Sequence, residues 1–330
     1  APAPTAIYTA GHSSAASDVY KRQVSLGATI EMLGEGVDPH RKASVMIRQS
    51  LGPDAPYVDI AVHGDGLTSM QYRSVKGTET NEIKSNVLAP KHVQIQKIGN
   101  YIAMQLTDEN NNLQLAGGSL RMSFEEPFYI GLGVSSHNND VIETMKFSNV
   151  SINTITENTN QPMKVESTLE ILDISTTNRT VVHHTKNHIE APNWTSDGKT
   201  LIYNSQGLLY KIPVKGGTPE IIPTGFANKI NNDHGISPDG QMLVISDQTE
   251  TGQSMIYSLS INGGEPKKIT QLSPSYWHGW SPDGKTLAYC AERNSNYDIY
   301  SIPLAGGEEI RLSSAEGLDD GPDYSCLLYT

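Results

Sequence analysis

Ser237-Pro238-Asp239-Gly240 and Ser281-Pro282-Asp283-Gly284, preceded by Thr195-Ser196-Asp197-Gly198, set the same four-residue turn at spacings of 42 and 44 residues between their aspartates. Proline fixes φ for a tight turn, aspartate bonds its own backbone two residues on, and glycine accepts positive φ. A second marker runs in phase with the first. Tyr210, Tyr257 and Tyr300 each stand six residues before a Gly-Gly pair, at Gly216-Gly217, Gly263-Gly264 and Gly306-Gly307. Two markers in register at this period spell an array of four-stranded blades.

Within each unit the innermost strand ends at the turn, and a β-rich run follows, such as Thr200-Leu201-Ile202-Tyr203 or Met242-Leu243-Val244-Ile245. A third strand leads from the tyrosine to the Gly-Gly turn. Glu220-Ile221-Ile222, Lys268-Ile269 and Glu309-Ile310 supply short outer strands. Upstream, Thr168 to Asp173 and Thr180-Val181-Val182 read as the outer strands of a further blade whose inner part is displaced or missing. The pattern over 168–325 resembles the TolB-type (PD40/WD40-like) β-propeller repeat, in about three and a half blades. That resemblance implies a periplasmic or cell-surface protein that recognises a protein partner or a glycan at the rim of the propeller channel. Such propellers close with more blades than this stretch supplies, so sheet edges stay open unless a partner covers them.

From Val24 to residue 155 the texture changes to longer strands with one buried face. Ser44 to Gln49, Tyr57 to Val62, Thr68 to Arg73 and Tyr101 to Leu106 alternate as half-buried strands do, and together they predict a β-sandwich. Gly36 to Arg48, with the ending Phe147-Ser148-Asn149-Val150-Ser151-Ile152, resembles the concanavalin A-like jelly rolls of the DUF1349 and β-xylosidase C-terminal type. The resemblance implies carbohydrate binding. Arg48, Gln49, His63, Asp65 and Tyr72 stand near strand ends where they would line a ligand face. The fold class is therefore all-β: a leader at 1–23, a concanavalin A-like jelly roll at 24–155, a linker at 156–167, a partial propeller at 168–325 and a tail at 326–330. Ser17 to Gln23 and Ser325 to Thr330 resemble translated sequencing-adapter scars, which marks both ends as foreign to the fold and the chain as a fragment.

The net charge of -12 over 330 residues offers no basic field for phosphates, so nucleic acid is not an expected partner. No stretch reaches the ~20 apolar residues of a membrane helix, and 1–23 lacks the apolar core of a signal peptide. Two cysteines, Cys290 and Cys326, support neither a disulfide framework nor a Cys-rich zinc site.

Asn232-Asp233-His234-Gly235 and Tyr276-Trp277-His278-Gly279 both place a histidine three residues before the turn serine, which assigns His234 and His278 to one rim. His188, Glu190 and Asn193 enter from the preceding unit, and Asp319 and Asp320 from the following one. Asp233, Trp277 and these neighbours are the channel-rim candidates. His234 and His278 are the candidate ligands of a divalent metal, although no cofactor is required by the pattern. The arrangement looks like that of oligogalacturonate lyases, propellers with a His-rich metal site. Two functions follow from different chemistry: a binding or scaffolding protein, or a metal-assisted polysaccharide lyase or glycoside hydrolase. Gly279-Trp280-Ser281-Pro282-Asp283 lacks the last glycine of a nucleophile elbow, and no phosphate loop or dinucleotide fingerprint is present.

Overall fold

The computed structural model describes residues 8–9, 23–154 and 166–324. Nearly all of the expected linker, most of the expected leader and the whole expected tail lie outside the described residues. Among the described residues every regular element is a strand, and the strands fall into two compact units that divide near residue 185.

The first unit holds Tyr8–Thr9 (β1), Val24–Leu33 (β2), Lys42–Arg48 (β3), Tyr57–His63 (β4), Thr68–Arg73 (β5), Asn81–Lys84 (β6), His92–Ile98 (β7), Tyr101–Thr107 (β8), Leu113–Arg121 (β9), Tyr129–Ser135 (β10), Thr144–Thr154 (β11), Ser167–Leu172 (β12) and Arg179–Thr185 (β13). An eight-stranded sheet runs β1-β10-β3-β4-β5-β6-β13-β12, and a five-stranded sheet runs β11-β2-β7-β8-β9. Successive side chains of a strand point to opposite faces, so Val45 and Ile47 of β3, Val58 and Ile60 of β4 and Met70 of β5 meet Leu26, Ile95, Ile102 and Met104 of the facing sheet. Each such fully buried aliphatic side chain contributes about 1.5–3 kcal/mol. β3, β4, β5 and β8 lie where the alternation predicts strands.

Arg41 anchors one end of this sandwich. Its guanidinium meets the Glu143 carboxylate at 2.6 Å, with both side chains about 5% exposed, and donates to the carbonyls of Leu33 and Gly34.

The hairpin β12-β13 departs from the sequence reading, which assigns it to the outer edge of a blade. It extends the eight-stranded sheet instead, where β13 runs parallel to β6 through Arg179 opposite Ile83 and Thr180 opposite Lys84. The reason is burial: without inner blade strands to lie on, Val181 joins the sandwich core, and Val182 and Leu169 are also buried.

The second unit holds three four-stranded antiparallel sheets. They are Glu190–Trp194 (β14), Thr200–Ser205 (β15), Leu208–Pro213 (β16) and Glu220–Ile221 (β17); Ile230–Ile236 (β18), Met242–Asp247 (β19), Met255–Ser260 (β20) and Lys267–Lys268 (β21); and Ser275–Trp280 (β22), Thr286–Arg293 (β23), Asn296–Pro303 (β24) and Ile310–Arg311 (β25). The repeated turn is built the same way in each. Ser237 Oγ lies 2.6 Å from Asp239 Oδ1 and accepts the Met242 N–H at 2.9 Å, while Asp239 Oδ1 accepts the Gln241 N–H. Thr195 with Asp197 and Ser281 with Asp283 repeat these bonds, and Gly198, Gly240 and Gly284 take φ of 68°, 74° and 69°. These aspartates are turn formers.

Middle strands bind the sheets into a stack. Leu243 and Ile245 of β19 pack with Ile202 and Leu209 of the first sheet, while Val244, between them, packs with Trp280, Leu287 and Tyr289 of the third. Period-two alternation thus sends the two faces of β19 to the sheets on either side.

Candidate functional site

All three innermost strands are bulged, and the bulges decide which side chains turn toward the rim. Register breaks between Glu190 and Asn193 in β14, between Ile230 and His234 in β18, and between Trp277 and Gly279 in β22. A bulge leaves extra residues unpaired and re-aims them. The re-aimed residues are 191–192, 231–233 and His278, with Ala191 at φ 47°.

These positions bring together carboxylates and an imidazole from successive units. His278 Nε2 lies 2.9 Å from Asp320 Oδ1. The Asp233 carboxyl is pushed up, chiefly by burial, with His278 and Asn231 holding it down and the charges of Asp320 and Glu190 raising it further. Asn231 Nδ2 donates to Asp233 Oδ2 at 2.8 Å, and the Asp233 N–H donates back to Asn231 Oδ1. Glu190 also meets His188, whose Nδ1 lies 3.6 Å away on an exposed edge. Asn193 Nδ2 donates to the carbonyls of Ala191 and His234, stitching β14 to β18. Cys290 donates its S–H to the Asp319 carbonyl at 3.1 Å, and burial with the nearby carboxylates pushes this thiol up to about 12, so it stays protonated.

His234 does not join this group. It pairs with Ile245, whereas the residue opposite the equivalent Tyr289 is Trp277, and His278 is the bulged residue beyond it. His234 therefore corresponds in register to Trp277, not to His278, because the two bulges stand at different points of their strands. Both in-register rings are buried: Trp277 lies on the backbone of Gly235, where an added Cβ would come 2.1 Å from the indole, and its backbone N–H donates to the Ser246 hydroxyl oxygen at 2.9 Å. His234 is 3% exposed, neither ring nitrogen has a well-formed hydrogen bond, and burial holds it down to about 4. Among the described residues no set of three or more His, Cys, Asp or Glu side chains is arranged to hold a metal ion.

In the sandwich, Arg48 donates to the carbonyls of Ser50 and Gly52, and the Gln49 amide ties itself to the backbone of Glu125 and Pro127. Asp65 caps its own turn by accepting the Leu67 N–H. Tyr72 packs on the core face. Each is committed to local structure. His63 alone of these five faces outward from β4 with both ring nitrogens buried and unbonded, and burial, then Lys42, holds it down to about 4.

A family profile described as the TolB beta propeller domain matches residues 161–326. The chain belongs to this TolB β-propeller family. An uncharacterized protein of Agrobacterium fabrum is 52% identical over 162 residues, which span 49% of the chain and 55% of that relative. The Tol-Pal system protein TolB of Francisella tularensis is 28% identical over 204 residues, spanning 44% and 45%. Among solved structures, the putative TolB from Agrobacterium tumefaciens is 52% identical, covering 48% of this chain and 57% of its own, with a TM-score of 0.46. TolB from Acinetobacter baumannii is 15% identical, covering 83% and 53%, with a TM-score of 0.37. The chain spans about half the length of the curated relatives it matches.

In this TolB-type repeat the rim residues that sequence reasoning missed are Asn231 and Tyr276. Burial raises the Tyr276 phenol, followed by the Asp233 charge. Asn231 had a usable signal, since an Asn-Asn-Asp run ahead of a predicted strand favours the local side-chain bonds that open a bulge.

Proposed function

We propose that the chain is an extracytoplasmic binding module of the TolB propeller type, periplasmic or cell-surface, that takes a positively charged segment of a protein partner. The observation that carries this reading is the grouping of Asp233 with Glu190, His278 and Asp320, whose charges act on it, and the pairing of His278 with Asp320, the carboxylates coming from successive units of the repeat. A partner touching this rim spans successive sheets at once, and excess carboxylate favours Lys, Arg or a free amino terminus. The name carried by the Francisella relative, a Tol-Pal system protein, supports a protein rather than a small-molecule partner.

Fluorescence anisotropy with labelled basic, neutral and acidic peptides tests it. Basic peptides are expected to bind with affinity that falls as salt rises, and Asp233→Asn or Asp320→Asn is expected to weaken them about 5- to 10-fold. Equal binding of all three peptide classes, or basic binding that neither variant changes, refutes the reading.

A further inference from the structure

A cleft of about 320 Å³ opens between the turns Ser237-Pro238-Asp239-Gly240 and Ser281-Pro282-Asp283-Gly284 of the second and third stacked sheets. That volume lies at the small end of ligand pockets and gives room for one side chain rather than a length of polymer. Its floor is apolar: Trp280 is 9% exposed, and Met242 and Leu304 pack beside it half-buried. The prolines and aspartates of the two turns stand exposed around the mouth. The sequence explains the room at this junction. Between the first and second sheets Ser196 presses on the turn, since a Cβ at Gly240 would come 2.5 Å from its Oγ, whereas Pro238 stands 3.8 Å from the same point at Gly284. Trp280 also takes the place that Ile236 holds one unit earlier.

Each aspartate spends one oxygen on its turn. Asp239 Oδ1 serves the Ser237 hydroxyl and the Gln241 N–H, and Asp283 Oδ1 serves the Ser281 hydroxyl and the Lys285 N–H. These bonds hold both carboxyls below the usual carboxylate range, so both are ionised at neutral pH. The second oxygens are left over. Among the described residues no hydrogen bond from another residue reaches Asp239 Oδ2, and Asp283 Oδ2 meets only Lys285 Nζ, at 4.0 Å on an 81% exposed side chain. The Trp280 indole N–H is buried and also makes no hydrogen bond, where groups of this kind are nearly always satisfied.

These demands narrow the occupant. Two carboxylates at the mouth call for a cation, the apolar floor calls for a hydrocarbon stem behind it, and the indole calls for an acceptor. An arginine residue within a peptide meets all of them: its guanidinium forks donors to both carboxylates, its stem lies over Trp280 and Leu304, and its carbonyl accepts from the indole. Lysine brings the charge without the fork. We infer that this cleft is a docking pocket for an arginine side chain of a partner polypeptide. It does not rest on the reading of the rim, whose residues precede the turns along the innermost strands.

An NMR titration of the full chain at low ionic strength tests it, using acetyl-Gly-Arg-Gly-amide and the same peptide with citrulline or lysine in place of arginine. The Trp280 indole resonance, assigned with Trp280→Phe, is expected to shift saturably with the arginine peptide. Citrulline, which keeps the shape and loses the charge, is expected to bind about 10-fold more weakly, and lysine about 3- to 5-fold. Asp283→Asn keeps the oxygen that builds the turn and is expected to weaken arginine binding about 5- to 10-fold. Leu304→Arg, at a half-buried wall, puts a guanidinium of the protein's own into the cleft and is expected to abolish it. Asp320→Asn, at the rim, is expected to change nothing. An arginine affinity equalled by either substitute, no binding to the wild type, or binding that survives both cleft variants overturns the pocket. Loss on Asp320→Asn with the Trp280 resonance unmoved overturns it too, and leaves the rim reading standing.

Discussion

Asp59→Asn is expected to make the stability of the sandwich rise with pH between about 4 and 6.5, a window in which the wild type is nearly level. Burial pushes the Asp59 carboxyl up from 3.8 to about 6, so the folded state holds this proton more tightly than the unfolded chain. Its contribution is whole below 3.8 and is lost as pH rises through about 6. His63 goes the other way: burial lowers it from 6.5 to about 4, so its contribution is present above 6.5 and is lost as pH falls through about 4. At 1.36 kcal/mol per unit, the two amount to about 3 kcal/mol each and carry opposite slopes. Asparagine keeps the shape and removes one slope, which leaves the histidine to act alone. Scanning calorimetry at half-unit steps from pH 4 to 7.5 follows this. Tryptophan fluorescence does not, because Trp194, Trp277 and Trp280 all belong to the second unit. Wild-type and Asp59→Asn profiles that run parallel across the window refute the reasoning.

Three further outcomes follow from the packing. Gly235→Ala drives a methyl into the Trp277 indole and is expected to cost about 1–3 kcal/mol, read as an earlier urea midpoint with altered tryptophan emission; an unchanged midpoint contradicts the described contact. Ser237→Ala strips a hydroxyl that serves both Asp239 and the Met242 N–H, and a loss of about 1–2 kcal/mol in the same urea titration is expected, with Ser281→Ala behaving alike. Arg41→Ala removes the ion pair to Glu143 and the bonds to the Leu33 and Gly34 carbonyls and is expected to lower the melting temperature of the sandwich, whereas the double change Arg41→Met, Glu143→Leu lowers it much less; equal shifts by calorimetry argue against a buried pair.

The strands were legible wherever large apolar residues alternate with polar or small ones, even on β4, where both faces are buried. Val58, Ile60 and Val62 against Asp59, Ala61 and His63 announce β4 to any reader of alternation, and the Ser-Pro-Asp-Gly turns announce the three stacked sheets. The rim was only half legible, because equal distance from a turn implies equal orientation only if both strands keep step. β18 and β22 break step at different points, which sends His234 inward and His278 outward. Such breaks depend on local backbone bonds and on what the neighbouring sheet accommodates, and neither is written in a repeat period. The sandwich candidates failed for a related reason. Arg48, Gln49 and Asp65 are polar and near strand ends, but polarity does not distinguish a side chain that awaits a ligand from one that secures its own loop. Asp59 and Ser69 share His63's parity on the sheet, and that parity was readable; their lack of partners was not.

The hairpin β12-β13 falls within the stretch matched by the propeller family yet lies in the sandwich sheet. Whoever divides this protein at the family boundary therefore splits a hydrogen-bonded ladder. A sandwich expressed as residues 24–154 loses the partner of β6 and uncovers the backbone groups of Ile83 and Lys84, an invitation to strand exchange between copies. Carried on to residue 185, the same domain keeps its own selvedge.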